Sequence, residues 1–206
     1  MSKTIETITE QEEQMIFREL FNQTLSPNRY NKRLRNATMF ALMLDAGLRV
    51  GEVVNLQVPD LCTMNEPVHT LIIGASISKT KTSRAIPLTS RIRDLIKEIN
   101  EHIWRYEKDI FADWCFFNTS HNKPITVRQV ERIIKALSKT AIDREIHPHV
   151  LRHTFATKLM RISNIRIVQT LLGHKSLTST QVYTHPNNID LKAAIEGLEK
   201  GKLPRN

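Results

Sequence analysis

His149-Val150-Leu151-Arg152-His153 decides how this chain reads, in fold and chemistry alike, together with Leu171-Leu172-Gly173-His174 and with Tyr183, nine residues beyond His174. Pro148 directly precedes the first stretch and favours a helix beginning there. On that helix His149 and Arg152, at i and i+3, project from one face. His149 then lies near a helix N-terminus, where free backbone N–H groups already welcome an anion. Two histidines and an arginine supply strong donors for the oxygens of a phosphate, and the phenol of Tyr183 supplies a nucleophile. These residue types point to attack on a phosphodiester. A metal site is the weaker reading of the same residues. His149 and His153 stand at i and i+4, but the glutamate of H-E-x-x-H is missing between them and Arg152 would repel a cation. His147 and His185 read as polar surface or supporting residues.

A chain of 206 residues is long enough for one well-cored domain. Its net charge of +9 argues for a polyanionic partner, nucleic acid ahead of a membrane surface. Cys62 and Cys115 are the only cysteines and form no CxxC pair. That excludes a disulfide scaffold and a cysteine-rich zinc module, and it suits a reducing compartment. No apolar run approaches the roughly 20 residues of a membrane span. Met1-Ser2-Lys3-Thr4-Ile5-Glu6 lacks the apolar core of a signal peptide. The expectation is a cytoplasmic protein with no membrane partner.

Along the chain, Thr9-Glu10-Gln11-Glu12 has the spacing of a capping box, which predicts a helix from there to about Phe21, broken by Ser26-Pro27-Asn28. A second helical pattern runs from about Lys32 through Ala37, Phe40, Ala41 and Leu44 to Gly47, a C-cap. Val50 to Leu56 reads as a short third helix. Val68-His69-Thr70-Leu71-Ile72-Ile73 is β-rich, with Arg84-Ala85-Ile86-Pro87-Leu88 as its partner. Ser78-Lys79-Thr80-Lys81-Thr82-Ser83 between them reads as a basic hairpin tip. Helical spacing returns after Thr89, with Ile92, Leu95, Ile96 and Ile99 on one stripe. Val127 to Leu137, Pro148 to Arg161, Ile165 to Leu172 and Asn188 to Glu199 are further helices. Phe155, Leu159, Val168, Leu171 and Leu172 read as core. The expected fold class is mainly α with a small antiparallel β-sheet (α+β).

Asp45-Ala46-Gly47-Leu48-Arg49-Val50-Gly51-Glu52 completes the set. Arg49 opens a helix, and Glu52 one turn on steadies it; alone, such a pair is usually a solvated surface feature. Taken in order, D-A-G-L-R-V-G-E, a hairpin lysine, H-x-L-R-H, L-G-H and the tyrosine resemble the catalytic domain of the tyrosine recombinase (phage integrase) family. The resemblance covers nearly the whole chain from about Thr9, and five separate motifs carry it.

The resemblance implies the family's catalytic-domain fold and its site. Arg49 matches the first catalytic arginine, and Lys79 the β-hairpin lysine. His149 and Arg152 match the second box, His174 the third-position residue, and Tyr183 the nucleophile. None of the six departs from the family's usual residue type. Lys81 and Arg84 read as DNA phosphate contacts, with Lys81 the runner-up for the role of Lys79. His153 is read as structural, its imidazole buttressing the site.

The physical reading agrees. Attack by a fifth oxygen raises the charge on the two non-bridging phosphate oxygens, and guanidinium forks stabilise that charge while staying protonated. A phenol of ordinary pKa near 10 needs its proton removed or its oxyanion stabilised. His149 is the candidate proton acceptor or orienter, and Lys79 the acid that protonates the leaving 5′ oxygen. The implied product is a 3′-phosphotyrosine link, with neither ATP, cofactor nor metal required.

The expected organisation is a single catalytic domain over residues 1–206, with its core over about 9–187. The motif pattern begins almost at Met1 and leaves no room for the family's separate N-terminal clamp domain. The resemblance implies that residues 188–200, a C-terminal helix, dock on a neighbouring protomer when DNA is bound; the alternative is that they fold back onto their own domain. The expected partner is double-stranded DNA, with self-association from dimer to tetramer on DNA and a monomer when free. Two competing functions are DNA relaxation of the type IB topoisomerase kind and DNA binding without catalysis. The motif spacing disfavours the first, and the intact six-residue set the second.

Overall fold

The computed structural model describes residues 5–21, 27–78, 82–106, 114–117, 124–174, 176, 178–181 and 183. The chain opens with α1 (Glu10–Phe21), α2 (Pro27–Asp45), α3 (Val50–Val53) and α4 (Val58–Leu61). Strands β1 (Cys62–Thr63), β2 (Glu66–Pro67), β3 (Thr70–Ile73) and β4 (Arg84–Pro87) follow, then α5 (Ser90–His102) and a 3₁₀ turn over Trp104–Tyr106. The last described helices are α6 (Val127–Ile142), α7 (Pro148–Ile162), α8 (Ile165–Leu172) and α9 (Thr178–Gln181).

Local chemistry sets several boundaries. Thr9 and Glu12 close the expected capping box: the Thr9 amide donates to Glu12 Oε2 at 2.8 Å and the Glu12 amide to Thr9 Oγ1 at 3.2 Å. Thr126 and Gln129 do the same for α6. Asn164 Oδ1 accepts from the amides of Arg166 and Ile167 and starts α8. Gly47 has φ +63°, and the Leu48 amide donates back to the Leu42 carbonyl, which closes the turn after α2.

Helix α2 is the centre of the domain. Residues 37–44 are buried on every side, because α1, α5 and α7 all pack against it. Its one polar residue there, Thr38, satisfies its hydroxyl on the Leu34 carbonyl. Ile92, Leu95, Ile96 and Ile99 form the buried face of α5, as their spacing predicts.

Among the described residues both sheets are antiparallel pairs, so the class is α+β, mainly α, with one more small sheet than expected. Strands β3 and β4 pair Thr70 with Pro87 through Ile73 with Arg84. The unexpected pair, β1 and β2, turns through Met64 and Asn65, both at positive φ. Met-Asn is not the Asn-Gly signal that marks such a turn in sequence. The third helix is also shorter than expected, because Pro59 opens a new helix, α4, four residues after Asn55. The hairpin tip over 79–81 and the C-terminal helix over 188–199 lie outside the described residues.

Candidate functional site

Four segments converge on the C-terminal end of α8. Helix α7 brings His149, Arg152 and His153, and the turn after α2 brings Arg49. Strand β4 brings Arg84, and the residues after α8 bring His174 and Tyr183. Arg152 is buried and makes three contacts. One terminal nitrogen donates to the Gly47 carbonyl, and the other donates to the Leu172 carbonyl at 2.7 Å and to His174 Nε2 at 3.3 Å. One side chain thereby joins the D-A-G-L-R turn, the α8 terminus and the L-G-H motif. The exposed carbonyl end of a helix is partially negative, so a cation is well placed there.

Glu52 is the anion that holds the other two arginines. It is 1 % exposed, and its carboxylate accepts from the Arg49 amide at 2.8 Å and from the Arg49 guanidinium at 3.2 Å. Arg84 reaches it with two bonds of 2.9 and 2.7 Å, while Arg84 Nε donates to the Leu171 carbonyl at 2.9 Å. Burial works against ionisation of Glu52, but hydrogen bonds from Arg84 and from the Arg49 amide outweigh it and hold the carboxyl below its ordinary range. With Arg152 close by, three guanidinium groups face a single carboxylate. Burial, followed by the charge of Arg49, pushes Arg152 down to about 9, as befits a cation awaiting an anion.

Arg84, expected to contact DNA phosphate, spends its guanidinium on Glu52 and on the Leu171 carbonyl. Arg84 is 6 % exposed and points inward, on the same face of β4 as Ile86. The signal was present in the sequence: side chains alternate along a strand, and Arg84 and Ile86 share parity. Glu52 likewise lies at the centre of the site rather than on a solvated helix face.

His174 has both ring nitrogens engaged. A guanidinium can only donate, so His174 Nε2 is the acceptor toward Arg152 and the ring proton sits on Nδ1, donating to Thr180 Oγ1 at 3.0 Å. Burial, then the charges of Arg152 and Arg49, push its pKa down to about 4. Thr180 is fully buried on α9, and the Tyr183 amide closes the next turn on the Thr180 carbonyl. Reading by motif missed Thr180, whose neighbours carry no distinguishing pattern.

The Tyr183 ring packs with Phe155, Leu159 and Met160 on a small core of Ala156, Val168 and Leu172. Its hydroxyl lies 2.7 Å from His153 Nδ1. Burial raises the phenol above its ordinary value, partly opposed by Arg152 and Arg49. His153, expected as a buttress, meets the phenol itself. His149 is exposed at the start of α7, its ring 6.3 Å from that of His153. Lys79 and Lys81, like His185, lie outside the described residues.

A second ion network braces the turn before Arg49. Arg91 on α5 grips Asp45 through bonds of 2.7 and 2.6 Å and also reaches Glu13, which pairs with Lys158. Among the described residues no group of three histidine, cysteine or carboxylate side chains is disposed to hold a metal. No helix among them is long and apolar enough to cross a membrane.

The model of the phage integrase family matches residues 6–189. The chain belongs to that family. It is 35% identical over 162 residues to the tyrosine recombinase XerC of Listeria monocytogenes serotype 4a (strain HCC23), covering 78% of this chain and 52% of that protein. It is 37% identical over 155 residues to a tyrosine recombinase of Pseudothermotoga lettingae, covering 75% of this chain and 50% of the relative. The chain thus spans about half the length of the curated relatives it matches. The fold is that of the XerA recombinase crystal structure, with TM-score 0.74, 24% identity, and coverage of 99% of this chain and 68% of that one. It is equally that of XerH recombinase in a post-cleavage complex with its difH substrate, at TM-score 0.73, 24% identity, and 96% and 54% coverage.

Proposed function

We propose that this chain is the catalytic part of a site-specific DNA recombinase that cuts and rejoins strands through a 3′-phosphotyrosine intermediate. The observation that carries this is the clustering of Arg49, Arg152 and His174 close enough to Tyr183 for the two arginine charges to act on its phenol, with more positive than negative charge inside the site. In this reading Arg49 and Arg152 hold the non-bridging oxygens, and their charge grows in value as the transition state gains negative charge. His174 steadies Arg152 through Nε2, His149 meets the phosphodiester from the exposed start of α7, and Lys79 protonates the leaving oxygen. Arg84 acts behind Arg49, through Glu52, while Lys81 contacts phosphate. No metal or cofactor enters the chemistry.

The substrate is double-stranded DNA, and the net charge of +9 supports it. Self-association to a dimer or tetramer takes place on DNA, with residues 188–200 docking on a neighbour, and the compartment is the cytoplasm. The test uses nicked suicide duplexes cut from DNA flanking the gene, with wild type beside Tyr183→Phe. An SDS-resistant protein–DNA adduct that disappears in the variant is the expected result. Equal behaviour of the two proteins, with DNA binding intact, would leave a DNA-binding protein without catalysis.

A further inference from the structure

We propose that His153, through Nδ1, takes the phenolic proton of Tyr183 as the tyrosine attacks the phosphodiester, and is a further catalytic residue. The inference rests on the recombinase reading above and assigns a role that the six-residue motif set leaves to His149.

Geometry selects His153. A general base must lie about 2.6–3.2 Å from the atom whose proton it removes, and His153 Nδ1 lies 2.7 Å from the Tyr183 oxygen. Arg49 and Arg152 have no acceptor to offer. His174 is committed on both nitrogens, accepting from Arg152 and donating to Thr180. His153 is half-buried, and its ring centroid stands 5.6 Å from that of Tyr183. His153 stands on α7, and the Tyr183 ring, in the turn after α9, packs on the small core of Ala156, Val168 and Leu172, which is the preorganisation a proton transfer needs.

The step balances as follows. The Tyr183 O–H bond breaks and its proton moves to His153 Nδ1, giving an imidazolium with its other proton on Nε2. The phenolic oxygen forms a bond to phosphorus, and the bond from phosphorus to the 5′ oxygen breaks. That oxygen leaves with the electron pair and takes a proton from the hairpin lysine or from water. Rejoining runs the same sequence backwards, with His153 returning its proton to the departing phenolate.

Titration of His153 is governed by its neighbours on three segments: His149 and Arg152 on its own helix, His174 after α8, and Tyr183 after α9. Burial, then the charges of His149 and Arg152, keep it below the ordinary histidine value. The ring is therefore neutral near pH 7 and able to accept. The phenol, raised by burial, does not ionise there unaided.

The test is the pH–rate profile of adduct formation on the nicked duplex for wild type, His153→Asn and His153→Ala. Asparagine keeps an acceptor near the Nδ1 position yet cannot take a proton, and thermal melts check that both variants fold. Wild type should lose rate as pH falls through the His153 range. Both variants should be slower at pH 7 by about 10²-fold or more, lack that acid limb, and speed up only toward the alkaline range of the phenol. A ¹⁵N spectrum of histidine-labelled protein should place the free-protein ring proton on Nε2, with the Nδ1 signal shifting in Tyr183→Phe. A wild-type profile retained in His153→Asn, or a proton found on Nδ1, would overturn the inference while leaving the recombinase reading intact. A wild type that forms no adduct overturns that reading itself, and the hydrogen bond is then structural.

Discussion

The Glu52 carboxylate meets the Arg84 guanidinium edge to edge, Oε1 with one terminal nitrogen at 2.9 Å and Oε2 with the other at 2.7 Å. The two residues lie 32 positions apart, on a short helix and a strand, and the pair is almost free of solvent. Since Glu52 also holds the Arg49 amide and guanidinium, it fixes where the first arginine of the site stands.

Removing that charge leaves cations buried without a counter-ion. Glu52→Gln should destabilise the domain by about 3–5 kcal/mol, the usual cost of breaking a buried pair from one side. Chemical denaturation measures this. The double variant Glu52→Gln/Arg84→Met should recover part of the loss, because removing both partners spares the orphaned charge. A single-variant loss below about 1 kcal/mol would contradict the central role given to Glu52.

Arg152 joins three segments through a planar fork, which a lysine cannot reproduce. Arg152→Lys keeps the charge but gives up some of the bonds to Gly47, Leu172 and His174. Adduct formation on the nicked duplex should fall by about 10²-fold or more, with DNA affinity within about threefold of wild type, since phosphate charge is still met. A large loss of affinity with the cleavage rate unchanged would assign Arg152 to DNA holding alone.

Gly47 is required twice over. Its φ of +63° disfavours any side chain, and a Cβ there would lie 2.4 Å from Phe155 Cδ1. Gly47→Ala should cost about 2 kcal/mol or more, combining left-handed backbone strain with the clash. Calorimetry of Gly47→Ala with and without Phe155→Leu separates the two causes. The smaller side chain should relieve the clash and leave the backbone strain.

His174 gives stability a pH dependence of known sign. Its folded pKa of about 4 lies below the ordinary histidine value of 6.5, so the unfolded chain binds more protons between those values. The contribution is complete above about pH 6.5 and is lost as pH falls toward 4. After allowance for the partly solvated ring it amounts to about 1–2 kcal/mol. Comparing denaturation midpoints of wild type and His174→Gln at pH 7 and pH 4 isolates it. Wild type should lose more stability than the variant; parallel losses would mean that the ring titrates freely.

Helix caps and stripes were legible in the sequence because their partners are near neighbours. Thr9 and Glu12 close a box three residues apart, and Ile92, Leu95, Ile96 and Ile99 announce a buried face by period alone. The motifs carrying Arg49, Arg152, His174 and Tyr183 were equally legible, and the family match over residues 6–189 agrees with them. The β1–β2 turn was not, since Met64 and Asn65 adopt positive φ without the glycine that usually signals it.

What the sequence alone determined, then, is which residue types are present and which short segments become helix or strand. Those outcomes depend on spacing, caps and alternation, all of them local. Tertiary structure alone decided which groups touch. Arg152 meets Gly47 across 105 residues, Arg84 turns inward to Glu52 across 32, and His153 rather than His149 stands against the Tyr183 hydroxyl across 30. Such contacts follow from how α2, α7 and α8 pack around buried apolar surface, and burial forces each charged or polar group on that surface to find a partner wherever the fold supplies one.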